Sequence, residues 1–144
     1  MPTRRVSPSE ARDLVEREGY VYLDVRAVGE FEQGRPKGSY NVPLAQPGPG
    51  GMAPNADFVT VVVAVFGTDA KLVVGCAAGG RSARACVALE QAGFSNLVDQ
   101  RAGFSGARDS FGRVSELGWQ SLGLPVDAGP DAERGYEAVR TKKA

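Results

Sequence analysis

Three short apolar runs, "YVYLDV" (20–25), "KLVVG" (71–75) and "NLVD" (96–99), alternate with stretches whose apolar residues recur at helical spacing. This alternation constrains the fold more than any other feature of the chain. Runs of four to six residues without a polar face suit strands buried on both sides, as in a parallel sheet covered by helices. The first helix is read in "SPSEARDLVEREG" (7–19), with Ser7 as N-cap, Pro8 at the first helical position and Glu10 completing a capping box. Ala11, Leu14 and Val15 share its apolar face, and Gly19 ends it. "AVGEFEQG" (27–34) reads as one or two helical turns, "GSYNVPL" (38–44) as an extended piece, and "AQPGPGGMAP" (45–54) as a loop. Asn55 is the expected cap of a third helix bearing Phe58, Val62, Val65 and Phe66 and closed by Gly67; its β-branched "VTVVVAV" also suits a strand. A fourth helix is expected over Ser82–Gln91, with Ala85, Val87 and Leu89 apolar and Gly93 as its stop. Residues 102–124 read as irregular and glycine-rich, around the sole tryptophan, Trp119. The reading is an α/β domain over 1–126 followed by a polar, flexible tail over 127–144.

A chain of 144 residues suffices for one core. Seventeen basic and seventeen acidic residues cancel, so no global field argues for nucleic acid or a membrane surface. No run of eighteen apolar residues is present, and the N-terminus lacks the apolar stretch of a secretory signal, so a cytoplasmic location is expected. The chain contains no histidine, which removes the commonest general base and the commonest metal ligand. Two cysteines without histidine do not fill a zinc site, and no metal or other cofactor is expected.

Both cysteines fall in "VVGCAAGGRSARAC" (73–86). Cys76 follows a buried strand, where ligands of parallel sheets bind. The loop after it, Ala77, Ala78, Gly79, Gly80, Arg81 and Ser82, is small enough to curl so that successive N–H groups converge on an anion. A helix N-terminus and Arg81 add positive charge. These conditions stabilise a thiolate without imidazole. Cys76 is therefore the candidate nucleophile. Cys86, in an alanine-rich helix, reads as a small core residue, with a redox partner as the alternative.

The order of motifs resembles the single-domain rhodaneses, thiosulfate or persulfide sulfurtransferases. "YLDVR" (22–26) is similar to the family's first core strand, "EFEQGRPKGSYNVPL" (30–44) to its "E-[FY]-x-x-G-[HR]-x-x-G-[AS]-x-N-[IV]-P" segment, "KLVVGCAAGGRSARACVALEQAGFSNLVD" (71–99) to its catalytic loop and helix, and "WQSLGLPV" (119–126) to its closing segment. The resemblance implies a five-stranded parallel sheet with helices on both faces. It also implies a persulfide on Cys76, with Asp24 and Arg26 as supporting residues near the pocket. The implied ligands are a small sulfur-containing anion, thiosulfate or a persulfide, and a thiol, cyanide or protein-cysteine acceptor. A persulfide relay module acting on a partner protein, and a dual-specificity-type phosphatase sharing the fold, are the alternatives. Phosphatases of that type resemble this loop with five residues between cysteine and arginine, whereas "AAGG" provides four.

The chain departs from the family in two places. Ala102 stands where the family has the first glycine of a Gly-Gly pair, and Ala107 where it has tryptophan; Trp119 follows about a dozen residues later. Arg35 stands at a position often held by histidine. At the pocket itself, Asp24 is expected to brace the loop and Arg26 to form an ion pair. Arg81 is expected to bind the anion, Arg84 to rim the pocket, Ser82 to cap the helix, and Trp119 to pack.

Overall fold

A computed structural model describes residues 3–142. The chain runs β1 (Arg4–Val6), α1 (Pro8–Arg17), β2 (Val21–Asp24), α2 (Val28–Gln33), β3 (Arg35–Pro36), β4 (Tyr40–Asn41), β5 (Ala45–Gly48) and β6 (Gly51–Pro54). It continues through α3 (Phe58–Phe66), β7 (Leu72–Gly75), α4 (Gly80–Gln91), β8 (Leu97–Gln100), β9 (Ala107–Arg108), β10 (Val114–Glu116), β11 (Val126–Asp127) and α5 (Tyr136–Thr141). The central sheet has five parallel strands in the order β1-β8-β7-β2-β4.

Alternate residues of these strands feed two cores, as the two-residue period of a strand requires. Leu23, Leu72 and Val74 pack with Phe58 and Val62 of α3, Ala85, Cys86 and Leu89 of α4, and Val139 of α5. Tyr22, Val73 and Val98 face the other way, onto Ala11 and Leu14 of α1 and onto Phe104, Trp119 and Leu124. The sheet is thus covered on both sides.

Local signals account for several element ends. Ser7 Oγ accepts from Glu10 N–H at 3.1 Å and Glu10 Oε1 from Ser7 N–H at 3.0 Å, the reciprocal bonds of the expected capping box. The β-branched 58–66 stretch is helical, because Phe58 and Val62 lie one turn apart in a single buried stripe. Asn55 does not cap this helix: its Oδ1 accepts from Asp57 N–H at 3.0 Å, forming the turn before it, and Asp57 is the cap. In α4 the buried stripe is Ser82, Ala85, Cys86 and Leu89; Val87, two residues from Ala85, falls on the opposite side and is exposed.

The structure adds elements that local pattern did not reveal. β1 is a three-residue edge strand with only Val6 buried. Residues 45–54 form a hairpin of β5 and β6, and 107–116 carry a second one of β9 and β10.

The segment 127–142 is not a flexible tail. Val126 and Asp127 pair with Pro36 and Arg35, and Val139 is fully buried against the core. Arg35 supplies the reason. Its buried guanidinium donates to Gly129 O at 2.6 Å and Phe31 O at 3.1 Å, lies 3.5 Å from Asp131 Oδ2 and stacks on the Phe31 ring. Residues 143–144 of the expected tail lie outside the described residues.

Candidate active site

Cys76 leaves the carboxyl end of β7, and Gly79, with φ at 103°, turns the chain into α4. The N–H groups of Gly79 and Ser82 both donate to Cys76 Sγ, at 3.1 and 3.3 Å. A Cβ on Gly79 would collide with Arg101 O, so this turn requires glycine twice over, for its φ and for its close approach. The thiol itself is buried.

Ser82 does not cap the helix. Gly79 occupies that place, and Ser82, already in the first turn, directs its hydroxyl back into the site. Ser82 Oγ lies 3.5 Å from Cys76 Sγ, 3.2 Å from Gly79 O and 2.7 Å from Asp99 Oδ1.

The outer side of the loop is held by the turn after β8. Phe104 N–H donates to Cys76 O at 2.7 Å and Ser105 N–H to Ala77 O at 2.9 Å. With its carbonyls tied back, the loop turns N–H groups, not oxygens, toward the sulfur. Gln100, fully buried, fixes this turn: its Oε1 accepts from Ala102 and Gly103 N–H at 3.0 and 2.8 Å, and its Nε2 donates to Tyr22 OH at 3.2 Å. Burial pushes the Tyr22 phenol far up, with Asp24 as a smaller contributor, so it remains protonated. Gly103 has φ at 71°, whereas Ala102 is not in the positive-φ region. The turn therefore needs only the second glycine of the pair, which explains why alanine is accommodated at 102. Trp119 packs edge-on against Tyr22 with ring centroids 5.5 Å apart, and its Nε1–H donates to Pro125 O at 2.7 Å.

Arg81 forms a two-pronged ion pair with Glu30, at 2.6 and 3.0 Å. The guanidinium holds the Glu30 carboxyl below its ordinary range, against the opposing effect of partial burial. Glu30 is not among the residues that the sequence marks as functional; its place at the head of the "E-[FY]-x-x-G" segment is the one signal that could have found it. Asp24 and Arg26 form a buried pair of their own, 2.7 Å between Asp24 Oδ2 and Arg26 Nη2. Arg26 also donates to Gly34 O at 2.6 Å and lies over the Phe104 ring, while Asn41 Nδ2 bonds the carbonyls of Asp24 and Arg26. Both charges are occupied by bracing. Arg84 is exposed, one turn further along α4. Cys86 is buried in the core below α4, and burial pushes its thiol strongly up, which disfavours its thiolate. Among the described residues no group of three His, Cys, Asp or Glu is placed to hold a metal ion.

Residues 7–109 match the family model described as Rhodanese-like domain. The chain belongs to the rhodanese family. Among rhodanese relatives, Thiosulfate sulfurtransferase 16, chloroplastic, of Arabidopsis thaliana is 39% identical over 123 residues, covering 85% of this chain and 92% of that one. Protein HIGH ARSENIC CONTENT 1, mitochondrial, of the same plant is 37% identical over 87 residues, 60% of this chain and 52% of that one. The chain thus spans nearly all of the first relative and about half of the second. In structure, the Rv0390 protein of M. tuberculosis superposes with a TM-score of 0.71 at 24% identity, over 90% of this chain and all of that one, showing a shared fold. Among the described residues no helix is long and apolar enough to cross a membrane.

Proposed function

We propose that the protein is a sulfurtransferase that moves sulfane sulfur from thiosulfate or a persulfide to a thiophilic acceptor through a persulfide on Cys76. The observation that carries this reading is the pair of N–H donors on Cys76 Sγ in a loop between a strand end and a helix N-terminus. Such a cradle stabilises sulfur as an anion, first the attacking thiolate and then the terminal sulfur of the persulfide. The Cys76 thiolate attacks the outer sulfur of thiosulfate, and sulfite leaves with the S–S bonding pair. The donor's anionic end competes with Glu30 for Arg81, which is held ready at the rim by that ion pair. An acceptor (cyanide in an assay, a thiol or protein cysteine in the cell) then takes the outer sulfur and returns the thiolate. Two half-reactions on one enzyme group give ping-pong kinetics. Two free thiols suit a reducing compartment such as the cytoplasm.

Intact-mass spectra after thiosulfate treatment test the assignment. One added sulfur is expected in the parent and in Cys86→Ala, and none in Cys76→Ser; an adduct that survives Cys76→Ser refutes it. Aryl phosphates are expected to be hydrolysed negligibly, because the four-residue span from Cys76 to Arg81 forms a ring suited to one sulfur rather than to three phosphoryl oxygens.

The reading as a relay to a partner protein is favoured by one observation. Phe111 is 85% exposed and Leu117 51%, and they flank β10, whose Ser115 and Glu116 line a cleft shared with Gly79 and Gly80. A protein acceptor docking there would lie beside the loop. Faster turnover with a protein thiol than with cyanide is the result that distinguishes it.

A further inference from the structure

The chain has no histidine to take the Cys76 proton, yet the structure connects that thiol to a carboxylate through a single hydroxyl. Cys76 Sγ is placed to donate to Ser82 Oγ at 3.5 Å, and Ser82 Oγ lies 2.7 Å from Asp99 Oδ1. A serine hydroxyl has one proton to give. Its alternative acceptor, Gly79 O, is farther away at 3.2 Å and uncharged, so the proton points at Asp99 and an oxygen lone pair faces the thiol. Asp99 Oδ2 accepts from Arg5 Nε at 3.0 Å, which offsets the negative charge that would otherwise repel a thiolate. Cys76, Ser82 and Asp99 are at most 2% exposed, whereas the Arg5 side chain is 54% exposed. The path is buried from sulfur to carboxylate and reaches the surface at an arginine.

We propose that Asp99 takes up and returns the Cys76 proton through the Ser82 hydroxyl, in the place of a histidine base. In the forward step the S–H bond breaks and its proton forms a new O–H bond on Ser82. The original Ser82 proton passes to Asp99 Oδ1. Thiol plus carboxylate become thiolate plus carboxylic acid, with no net charge gained or lost and no electron transferred. The thiolate is then held by the Gly79 and Ser82 N–H groups. The same path runs backward when the acceptor step releases Cys76. Asp99 acts through Ser82 and is a positioning residue, never touching sulfur. The inference rests on the proposed function only in needing Cys76 to react as a thiolate.

The charged and titratable groups around this cluster are Arg5 on β1, Tyr22 and Asp24 on β2 with Arg26 just after it, Glu30 on α2, Arg81, Cys86 and Glu90 on α4, and Arg101 just after β8, which is paired with Glu116 of β10. Burial pushes Tyr22 and Cys86 up, Arg81 holds Glu30 down, and Asp24 is paired with Arg26. None of the first three changes charge near neutral pH.

The experiment is the rate of iodoacetamide alkylation against pH in a Cys86→Ala background, where Cys76 is the sole thiol. An unassisted thiol at the reference value of about 8.5 is only about 0.3% thiolate at pH 6. Internal proton transfer is independent of pH, so the parent is expected to keep an alkylation plateau on the acid side. Asp99→Asn is expected to remove the plateau and slow alkylation at pH 6 by roughly tenfold, below the 10²–10⁴ range of a full general base because only deprotonation is read. Ser82→Ala should reproduce that loss, and the double variant should add nothing to it. An Asp99 that merely places negative charge beside the sulfur predicts the opposite sign, faster alkylation in Asp99→Asn. An equal or faster rate overturns the proposal. Arg5→Met, on an exposed side chain, provides a variant expected to fold even if Asp99→Asn does not. It should move the acid limb of the plateau to higher pH, and an unmoved limb also overturns the relay. Thiosulfate persulfidation of the same proteins is measured separately by mass. A missing sulfur adduct together with the Asp99→Asn loss would sink the sulfurtransferase assignment and leave the relay intact.

Discussion

Gly103→Ala isolates the clamp on the Cys76 loop. Gly103 has φ at 71°, a conformation that costs a residue with a Cβ about 1–2 kcal/mol. The new Cβ would also lie 2.6 Å from Cys76 O and closer still to Ala77 O. Those oxygens cannot retreat freely, because Phe104 and Ser105 N–H groups hold them at 2.7 and 2.9 Å. Relieving such an overlap costs roughly 1–3 kcal/mol more, as in overpacked cores. The expected destabilisation is therefore roughly 2–5 kcal/mol. With about 2.1 cal/mol/K of unfolding entropy per residue, 144 residues give about 0.3 kcal/mol/K, so Tm falls by roughly 7–17 °C. Whatever strain the fold absorbs by shifting the loop misplaces Cys76, and sulfur transfer should drop by up to about 100-fold. Ala102→Gly is the control: residue 102 is not in the positive-φ region, so only unfolded-chain entropy is at stake, about 0.4–1 kcal/mol. Thermal and urea unfolding of both variants, with thiosulfate:cyanide turnover, supply the test. A Gly103→Ala protein within about 0.5 kcal/mol of the parent, or no less stable than Ala102→Gly, refutes the reasoning.

Glu30→Gln should remove a pH-dependent contribution. Because the folded carboxyl titrates below its ordinary value of 4.5, its stabilisation is complete above that pH and is lost as pH falls through the lower folded value. The pair is partly exposed, so urea unfolding at pH 7 should show a deficit of no more than about 1 kcal/mol, closing in strong acid. Gly75→Ala should loosen the site from behind, since its Cβ would overlap the Tyr22 hydroxyl and lie 2.7 Å from Tyr22 Cζ; loss of the Gln100–Tyr22 bond should appear as a lowered Tm and slower persulfide formation. Truncation after Val126 should uncover the face that Val139 fills and deprive the Arg35 guanidinium of Gly129 O and Asp131, so the shortened chain should melt lower and be cut faster by proteases than the parent. Val139→Ala alone should cost on the order of 1.5–3 kcal/mol in urea unfolding.

Sequence alone determined what rests on short-range chemistry. Buried runs at 20–25, 71–75 and 96–99, the Ser7–Glu10 capping box and the small-residue loop after Cys76 are each legible within a few residues, because strand period, cap bonds and glycine φ act locally. The resemblance to rhodaneses rested on the same local motifs, and it extended the reading to a five-stranded sheet. Tertiary structure decided what joins distant residues. β1 becomes a strand only because β8 offers it an edge, and Asp99 meets Arg5 across 94 positions. Glu30 meets Arg81 across 51, and Ser82 abandons a capping role because Asp99, 17 residues on, accepts its proton. The polar composition of 127–142 concealed a packed segment for the same reason: one buried arginine at position 35 holds Gly129 from 94 residues away. Such bonds form only when the sheet aligns their partners, so no local period or propensity records them.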